Sequence, residues 1–188
     1  MRNIFLAILA SLCLMGRSFA YTPTGNVQEQ LAKAVEYFQG GKYHEALLLF
    51  VRLDKAYKLN PRFLAYLGVC QFYERNYKET VAIFDKIMPN LQAFAPHERS
   101  VYIYCAAESH FRLHEYHKAI VLFESQSILC YDNEKGDALF RIGLCYRNIG
   151  NIPTAQEYLN EAMKYYRRYN DSSKIVYVEK ELAIPYGE

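Results

Sequence analysis

The sequence lacks a charge excess and the short motifs of common enzymes. Its 22 Lys and Arg residues nearly balance its 20 Asp and Glu residues, whereas a nucleic-acid-binding protein usually carries a strong basic excess. It contains no Gly-rich phosphate loop, no G-x-S-x-G and no H-E-x-x-H, the local signatures of nucleotide sites, serine hydrolases and zinc proteases. We therefore predict no nucleic-acid partner, no cofactor and no enzymatic activity.

The chain also lacks an apolar run long enough to span a membrane. The run at residues 4–15 is shorter than the roughly 20 apolar residues of a transmembrane helix. It follows the lone cation Arg2 and precedes Ser18-Phe19-Ala20, whose small residues at alternate positions fit a signal-peptidase site. This pattern is typical of a secretory signal.

We therefore predict a signal peptide over residues 1–20 that is cleaved after Ala20, and a periplasmic or secreted mature protein. A lipoprotein anchored through Cys13 is an alternative, but Leu12 stands where that signal requires a small residue. Removal of residues 1–20 takes away two arginines and leaves 20 acidic residues and an equal number of basic residues. The mature chain is therefore electrically neutral.

A pattern of small and large apolar residues recurs four times in the rest of the chain. The four copies are Ala34, Tyr43, Ala46 and Phe50, then Gly68, Tyr77, Thr80 and Phe84, then Ala107, Tyr116, Ala119 and Phe123, then Gly143, Ile152, Ala155 and Leu159. A fixed period of this length indicates a repeat architecture. The small residues are expected where helices cross closely.

The pattern resembles the tetratricopeptide repeat, which pairs a Leu-Gly and a Tyr on one helix with an Ala and an aromatic residue on the next. Leu67-Gly68, Ile142-Gly143 and the stretch from Tyr43 to Ala46 carry this resemblance, although the chain has no Trp. The resemblance implies an all-α fold. Four tandem helix-turn-helix hairpins would stack as a right-handed superhelix with a C-terminal capping helix.

Helix start and stop signals place these units in one domain over residues 27–184. We expect helix boundaries at Asn26, Asn60-Pro61 and Asp171. We expect a longer loop to interrupt the stack between Pro89 and His97. The predicted segments are a flexible lead at 21–26, repeats at about 27–60, 61–97, 98–131 and 132–170, and a capping helix at 172–183.

The resemblance also implies a binding surface, because in this family the first helices of the hairpins line a concave groove that holds peptide segments. The predicted partner-binding residues are Phe38, Phe72, Tyr73, Tyr104, Glu108, Phe111, Arg112, Phe140 and Arg147. Exposed aromatic residues are common anchors of binding sites. The alternative is that several of these side chains simply pack against neighbouring helices, and we expect this of the aliphatic positions such as Ala65 and Val69.

A subset of the family grips a terminal carboxylate with Lys, Asn and Arg residues in the groove. The matching positions here are Leu31 and Val35, Ala65 and Val69, and Tyr104 and Glu108. None of these side chains is a Lys, Asn or Arg. The sequence therefore disfavours the carboxylate-gripping adaptor role.

The cysteines of the mature chain lie in or at the end of separate predicted helices, at Cys70, Cys105, Cys130 and Cys145. We favour buried free thiols over disulfides, and no two cysteines have the close spacing of a zinc site. His110, His114 and His117 flank a predicted turn rather than sharing one helix face, so we predict no metal site. The basic stretch at 164–169 is expected to be a solvated face behind packed tyrosines.

Taken together, these patterns predict an exported, non-enzymatic interaction module that holds a partner protein or peptide segment within an envelope or secretion assembly. A chaperone-like holder of exported clients is the alternative. An enzyme or metal protein that uses the histidine cluster is the third possibility.

Overall fold

The computed structural model describes residues 26–184, which fold into an all-helical stack. The predicted signal peptide and its cleavage site lie outside this range. No helix within it is both long and apolar enough to cross a membrane. The nine α-helices of the described range are α1 (Val27–Gln39), α2 (Tyr43–Tyr57), α3 (Pro61–Tyr73), α4 (Tyr77–Ile87), α5 (Pro96–Arg112), α6 (Tyr116–Leu129), α7 (Lys135–Asn148), α8 (Ile152–Arg168) and α9 (Ser172–Ala183).

Consecutive helices pack against one another along the whole stack. The hairpins α1/α2, α3/α4, α5/α6 and α7/α8 each form one unit, and the second helix of each of the first three units contacts the first helix of the next. First helices also approach each other directly, as α3 does α5, and α9 packs on α8. The predicted all-α stack of four hairpins followed by a further helix is confirmed.

Side-chain caps set several helix starts. Asn26 forms a capping box with Glu29 at the start of α1, and its side chain satisfies backbone N–H groups that have no partner within the helix. Asn60 caps α3, whose first residue is Pro61, and Asp171 caps α9. These polar residues fix where each helix begins.

The turn inside each hairpin contains one residue in the left-handed region, always at the equivalent position. Gly41 and Gly150 have φ values of 70° and 82°, and Arg75 and His114 both have φ values of 61°. Glycine adopts this conformation at no steric cost, whereas other L-residues are strained there. The second and third hairpins therefore retain the turn geometry of the first and fourth with a less suitable residue.

The core is built from the recurring small and large residues. All four second-helix small residues and the large residues that follow them are fully buried, namely Ala46, Phe50, Thr80, Phe84, Ala119, Phe123, Ala155 and Leu159. The first-helix small residues Ala34, Gly68, Ala107 and Gly143 are buried opposite them. The repeat register read from the sequence is therefore the packing register of the core.

The expected longer connection between Pro89 and His97 is present, but the expectation that it interrupts the stack is wrong. Residues Met88–Ala93 form a 3₁₀-helix, α5 already begins at Pro96, and Leu91 and Phe94 are buried in the core of the second and third hairpins. The Arg62 guanidinium lies 4.5 Å from the centre of the Phe94 ring. The insertion extends the apolar core because its two large apolar side chains bury themselves between hairpins, so the stack is not interrupted.

Candidate functional site

The first helices α1, α3, α5 and α7 form one side of the stack, which we call the inner face. Aromatic rings on and beside this face form contacts from one first helix to the next. The rings of Phe38 and Tyr66 stack with 4.4 Å between their centres, and those of Phe72 and Tyr104 meet edge to face at 6.0 Å. The inner face therefore carries aromatic contacts within and between successive hairpins.

The predicted aromatic residues differ in how much of each side chain reaches solvent. Tyr73 is 54% exposed, and its ring stacks in parallel on Tyr43 with 4.0 Å between centres. The remaining five are half-buried, so each both packs on a neighbour and offers part of its ring to solvent. They are Phe38, Phe72, Tyr104, Phe111 and Phe140.

Glu108 is buried in the middle of this face and already has partners in the protein. Its Oε1 accepts a hydrogen bond of 2.7 Å from Nε of Arg112 on the same helix. Its Oε2 lies 3.0 Å from Nε of Arg141 on α7. The carboxylate therefore ties α5 to α7, while half of the Arg112 side chain remains open to solvent.

Arg141 is a residue of this face that the sequence patterns did not identify. Its guanidinium carbon lies 5.3 Å from the centre of the Phe111 ring. It also opposes the effect of burial and of Glu108, both of which raise the pKa of Tyr104. Arg141 was missed because its partners Glu108 and Phe111 lie in the preceding hairpin.

Helix α9 closes the C-terminal end of the inner face. Arg147 forms an ion pair with Glu181, and its Nη2 donates a hydrogen bond of 2.9 Å to the Glu181 carbonyl oxygen. The predicted site residue Arg147 therefore holds the capping helix in place.

A cleft of about 460 Å³ lies where α5, α7 and α9 meet. Asp137 forms one polar wall, because its carboxylate accepts hydrogen bonds of 2.8 Å from both the Tyr166 hydroxyl and the Lys174 ammonium group. Of the predicted residues, Tyr104 and Phe140 line this cleft. The sequence did not indicate this cleft, because its lining comes from separate helices and includes Lys174 and Tyr177 of α9.

A shallower apolar hollow lies at the opposite end of the inner face. Leu31 and Val35 of α1 and Phe63 of α3 form its apolar surface. Ala65 and Val69, which the groove register also included, are buried in the core instead. The inner face thus has an apolar N-terminal end and a mixed polar and aromatic C-terminal end.

The histidines separate into unrelated positions. His110 is almost fully buried; its Nδ1 lies 2.6 Å from Oε2 of Glu115, and its Nε2 lies 3.3 Å from Oδ1 of Asp85. His114 instead contacts the Tyr116 hydroxyl. Among the described residues, no group of three or more His, Cys, Asp or Glu side chains is placed to hold a metal ion.

The four cysteines of the described range are free thiols. Burial raises the pKa of Cys70 and of Cys145 to about 12, and it raises the pKa of Cys105 and Cys130 as well. A catalytic cysteine needs the opposite shift, because the thiolate is the nucleophile. Cys70, Cys105 and Cys145 are buried in the core, whereas Cys130 is half-buried, and all four are free thiols as we predicted over disulfide formation.

The basic stretch near the end of α8 combines surface cations with tyrosines that bind acidic residues of the same repeat. The Tyr166 hydroxyl is bonded to Asp137, whereas Lys164 pairs with Glu161 in the solvent. Arg168 and Tyr169 both contact Asp132. This stretch therefore links the end of α8 to the start of the fourth hairpin.

Comparison with known proteins supports the repeat architecture. Residues 137–168 match the sequence model of the tetratricopeptide repeat family. A search of curated proteins found no match to the sequence.

Solved structures of similar shape are remote in sequence. The MamA MSR-1 structure has a TM-score of 0.65 and 18% identity, with 77% of this chain and 79% of that chain covered. The apo form of RapI has a TM-score of 0.62 and 14% identity, with 83% of this chain and 64% of that chain covered. TTC0263, a thermophilic tetratricopeptide-repeat protein of Thermus thermophilus, has a TM-score of 0.55 and 15% identity, covering 84% of each chain. The chain therefore has a stacked helical-repeat fold of the tetratricopeptide type, and its fourth hairpin carries the sequence pattern of that repeat.

Proposed function

We propose that this protein is a non-enzymatic interaction scaffold that binds a segment of a partner polypeptide along its inner face. The observation that carries the proposal is the half-buried aromatic rings on this face from α1 to α7, including Phe38, Phe72, Tyr104 and Phe140. Rings of this kind are common energetic anchors of protein interfaces. The fold supports the proposal because repeat stacks present extended binding surfaces.

The ring contacts fit a preformed site. Phe72 meets both Tyr73 and Tyr104 edge to face, with 5.5 and 6.0 Å between ring centres. Such packing restricts side-chain rotation before a partner arrives, which reduces the entropy lost on binding. A partner segment would therefore contact ring edges and faces that are already in position.

The two ends of the inner face favour different parts of a segment. The hollow at Leu31, Val35 and Phe63 would take apolar side chains. The cleft near Asp137 and Lys174 offers polar groups as well as rings. A linear segment that places apolar residues at one end and polar or aromatic residues at the other fits this order.

Export is a separate part of the proposal. Arg2, the apolar run and Ser18-Phe19-Ala20 support a cleaved signal and a mature chain that begins at Tyr21. N-terminal sequencing of the protein from the envelope or medium of its host tests this. Recovery of an intact Met1 or of a lipid-modified Cys13 would contradict it.

A chaperone-like holder remains a second candidate, because the hollow at Leu31, Val35 and Phe63 is mostly apolar and could accept many sequences. The two functions differ in selectivity. A scaffold binds one defined segment with fixed stoichiometry, whereas a holder suppresses the aggregation of several unrelated unfolded proteins.

A library of random linear peptides selected on the purified chain tests the proposed function without knowledge of the host. We expect one related family of peptides. Hydrogen exchange of the complex should slow in α1, α3, α5 and α7 more than in α2, α4, α6 and α8. Protection confined to the second helices would contradict binding on the inner face, and unrelated apolar peptides of equal affinity would favour the holder.

A further inference from the structure

The cleft at the junction of α5, α7 and α9 has aromatic walls. Tyr104 and Phe140 are half-buried within it, and Tyr177 of α9 also lines it with most of its ring exposed. Rings that face a cavity favour another ring, because aromatic pairs attract beyond the effect of their buried area. The volume of about 460 Å³ is within the range of small-ligand sites.

One buried polar group of the cleft has no partner. Gln126 of α6 lines the cleft and is only 6% exposed, and its Oε1 forms no hydrogen bond among the described residues. A buried acceptor without a donor is unfavourable and is uncommon in folded proteins. Because Gln126 lines the cleft, a group bound there would lie beside this amide.

The charged groups of the cleft are already matched. Asp137 binds Lys174 and Tyr166, and Arg141 pairs with Glu108. The hydroxyl of Ser100 donates to the carbonyl oxygen of His97. The unmatched group is therefore a neutral amide, which favours a neutral hydrogen-bond donor over a charged ligand.

We infer that this cleft is a specificity pocket for one aromatic side chain that carries a ring N–H or O–H donor, a tryptophan or tyrosine of the partner segment. The ring lies between Tyr104 and Phe140, and its donor reaches the amide of Gln126. The inference rests on the proposed function and adds to it the kind of residue that the segment must contain.

The chain has no tryptophan, so indole fluorescence reports the ligand alone. The probe is a short alanine peptide with one central tryptophan, titrated with the mature protein. A second peptide replaces tryptophan with benzothienylalanine, in which sulfur takes the place of the ring N–H while the shape is kept, and its affinity is measured by competition. Tyrosine and phenylalanine peptides form a second pair that differs only in the hydroxyl group.

Two protein variants complete the design. Gln126→Leu removes the amide, and Gln156→Leu is the matched control at an exposed position of α8. Because Gln126→Leu replaces an unpaired buried acceptor with an apolar group, we expect its melting midpoint to be unchanged or higher. We therefore expect the Gln126→Leu variant to be folded in the binding measurement.

We expect the tryptophan peptide to bind the Gln126→Leu variant roughly 2- to 10-fold more weakly than wild type, with the control unchanged. The benzothienylalanine peptide should bind the Gln126→Leu variant and wild type with equal affinity. Equal affinity of the two peptides for wild type, or equal affinity of the tryptophan peptide for both variants, would overturn the inference. So would binding of free N-acetyl-tryptophanamide as tight as that of a library-selected segment that contains tryptophan, because the site would then serve a small molecule.

The proposed function can survive the failure of this pocket. If a segment selected from a peptide library protects the inner face but its affinity is unchanged by Gln126→Leu, only the pocket is wrong. If no selected segment protects the inner face, both the proposed function and the pocket are wrong.

Discussion

Gly68 lies so close to the ring of Phe84 that a Cβ atom on this glycine would stand 2.8 Å from Cε2 of the ring. The equivalent pair in the fourth hairpin is alike, since a Cβ on Gly143 would stand 2.9 Å from Cγ of Leu159. Real Cβ atoms do not approach other carbons so closely. The two helices of these hairpins therefore cross at a distance that only glycine permits.

The first prediction concerns this crossing. Gly68→Leu should lower the free energy of unfolding by about 1–3 kcal/mol, because extra atoms in a packed core force the helices apart. Phe84→Ala alone should cost about 3–5 kcal/mol. The double variant should lose clearly less than the sum, because the new leucine occupies space that the ring vacates. Urea titrations measure all three values, and additive losses would show that the two residues do not meet.

The second prediction concerns the left-handed turn residues. Arg75→Gly should stabilise the protein by up to about 1 kcal/mol, because glycine relieves the strain of a φ of 61° and gives back only part of this through greater chain entropy. The reciprocal change Gly150→Ala should destabilise it by about 1 kcal/mol. Thermal melting compares the two. Destabilisation by Arg75→Gly would mean that its side chain supplies contacts that outweigh the strain.

The third prediction concerns the buried thiols. Burial raises the pKa of Cys70 and Cys145 in the folded protein to about 12, from an ordinary 9.0. The native state therefore favours the neutral thiol. This contribution to stability is complete below pH 9 and falls as the pH rises from 9 towards 12, because the unfolded chain ionises first.

Urea titrations below and above pH 9 check this loss of stability, and thiol titration with Ellman's reagent at neutral pH checks that the thiols are buried. In the chain that begins at Tyr21, Cys130 should react first, since it is half-buried whereas the other three cysteines are buried. Cys130→Ser should remove the fast phase and leave the slow one. Simultaneous reaction of all four thiols in the folded protein would contradict the buried positions.

The fourth prediction concerns Glu108. Glu108→Gln should cost about 1–3 kcal/mol, because it removes a buried charge that Arg112 and Arg141 both contact. The matched control Glu36→Gln, which breaks an exposed pair with Lys33, should change stability by at most about 1 kcal/mol. Equal effects of the two substitutions in urea titrations would show that Glu108 is solvated.

The sequence was sufficient for features that follow from local steric rules. A small residue at Gly68 or Ala107 is required wherever two helices cross closely, and a large residue such as Phe84 fills the space beside it. These requirements recur with each hairpin, so their spacing predicted a repeat and its core residues, and the resemblance to the tetratricopeptide repeat predicted the stack. The helix caps at Asn26 and Asp171 were readable for the same reason.

Features that depend on contacts between distant residues were not readable. Leu91 and Phe94 lie between two prolines and resemble a loop, but they are buried between hairpins. Glu108 looked available to a partner, but Arg141 of the next hairpin contacts it. The cleft needs α9 to pack on α8 and to place Lys174 beside Asp137 of α7, which no local pattern indicates.

Tyr73 and Tyr57 provide a matched comparison that tests whether a partner segment binds the inner face. Both tyrosines end their helices, α3 and α2, and they are 54% and 60% exposed, but only Tyr73 belongs to a first helix. A peptide selected on the wild-type chain is titrated against Tyr73→Ala and Tyr57→Ala, with melting midpoints recorded for both.

We expect Tyr73→Ala to bind the selected peptide about tenfold more weakly or worse, the usual effect of losing an aromatic anchor. Tyr57→Ala should bind it like wild type, and neither midpoint should move by more than a few degrees. Unchanged affinity of the Tyr73 variant, or an equal loss in the Tyr57 variant, would contradict binding on the inner face.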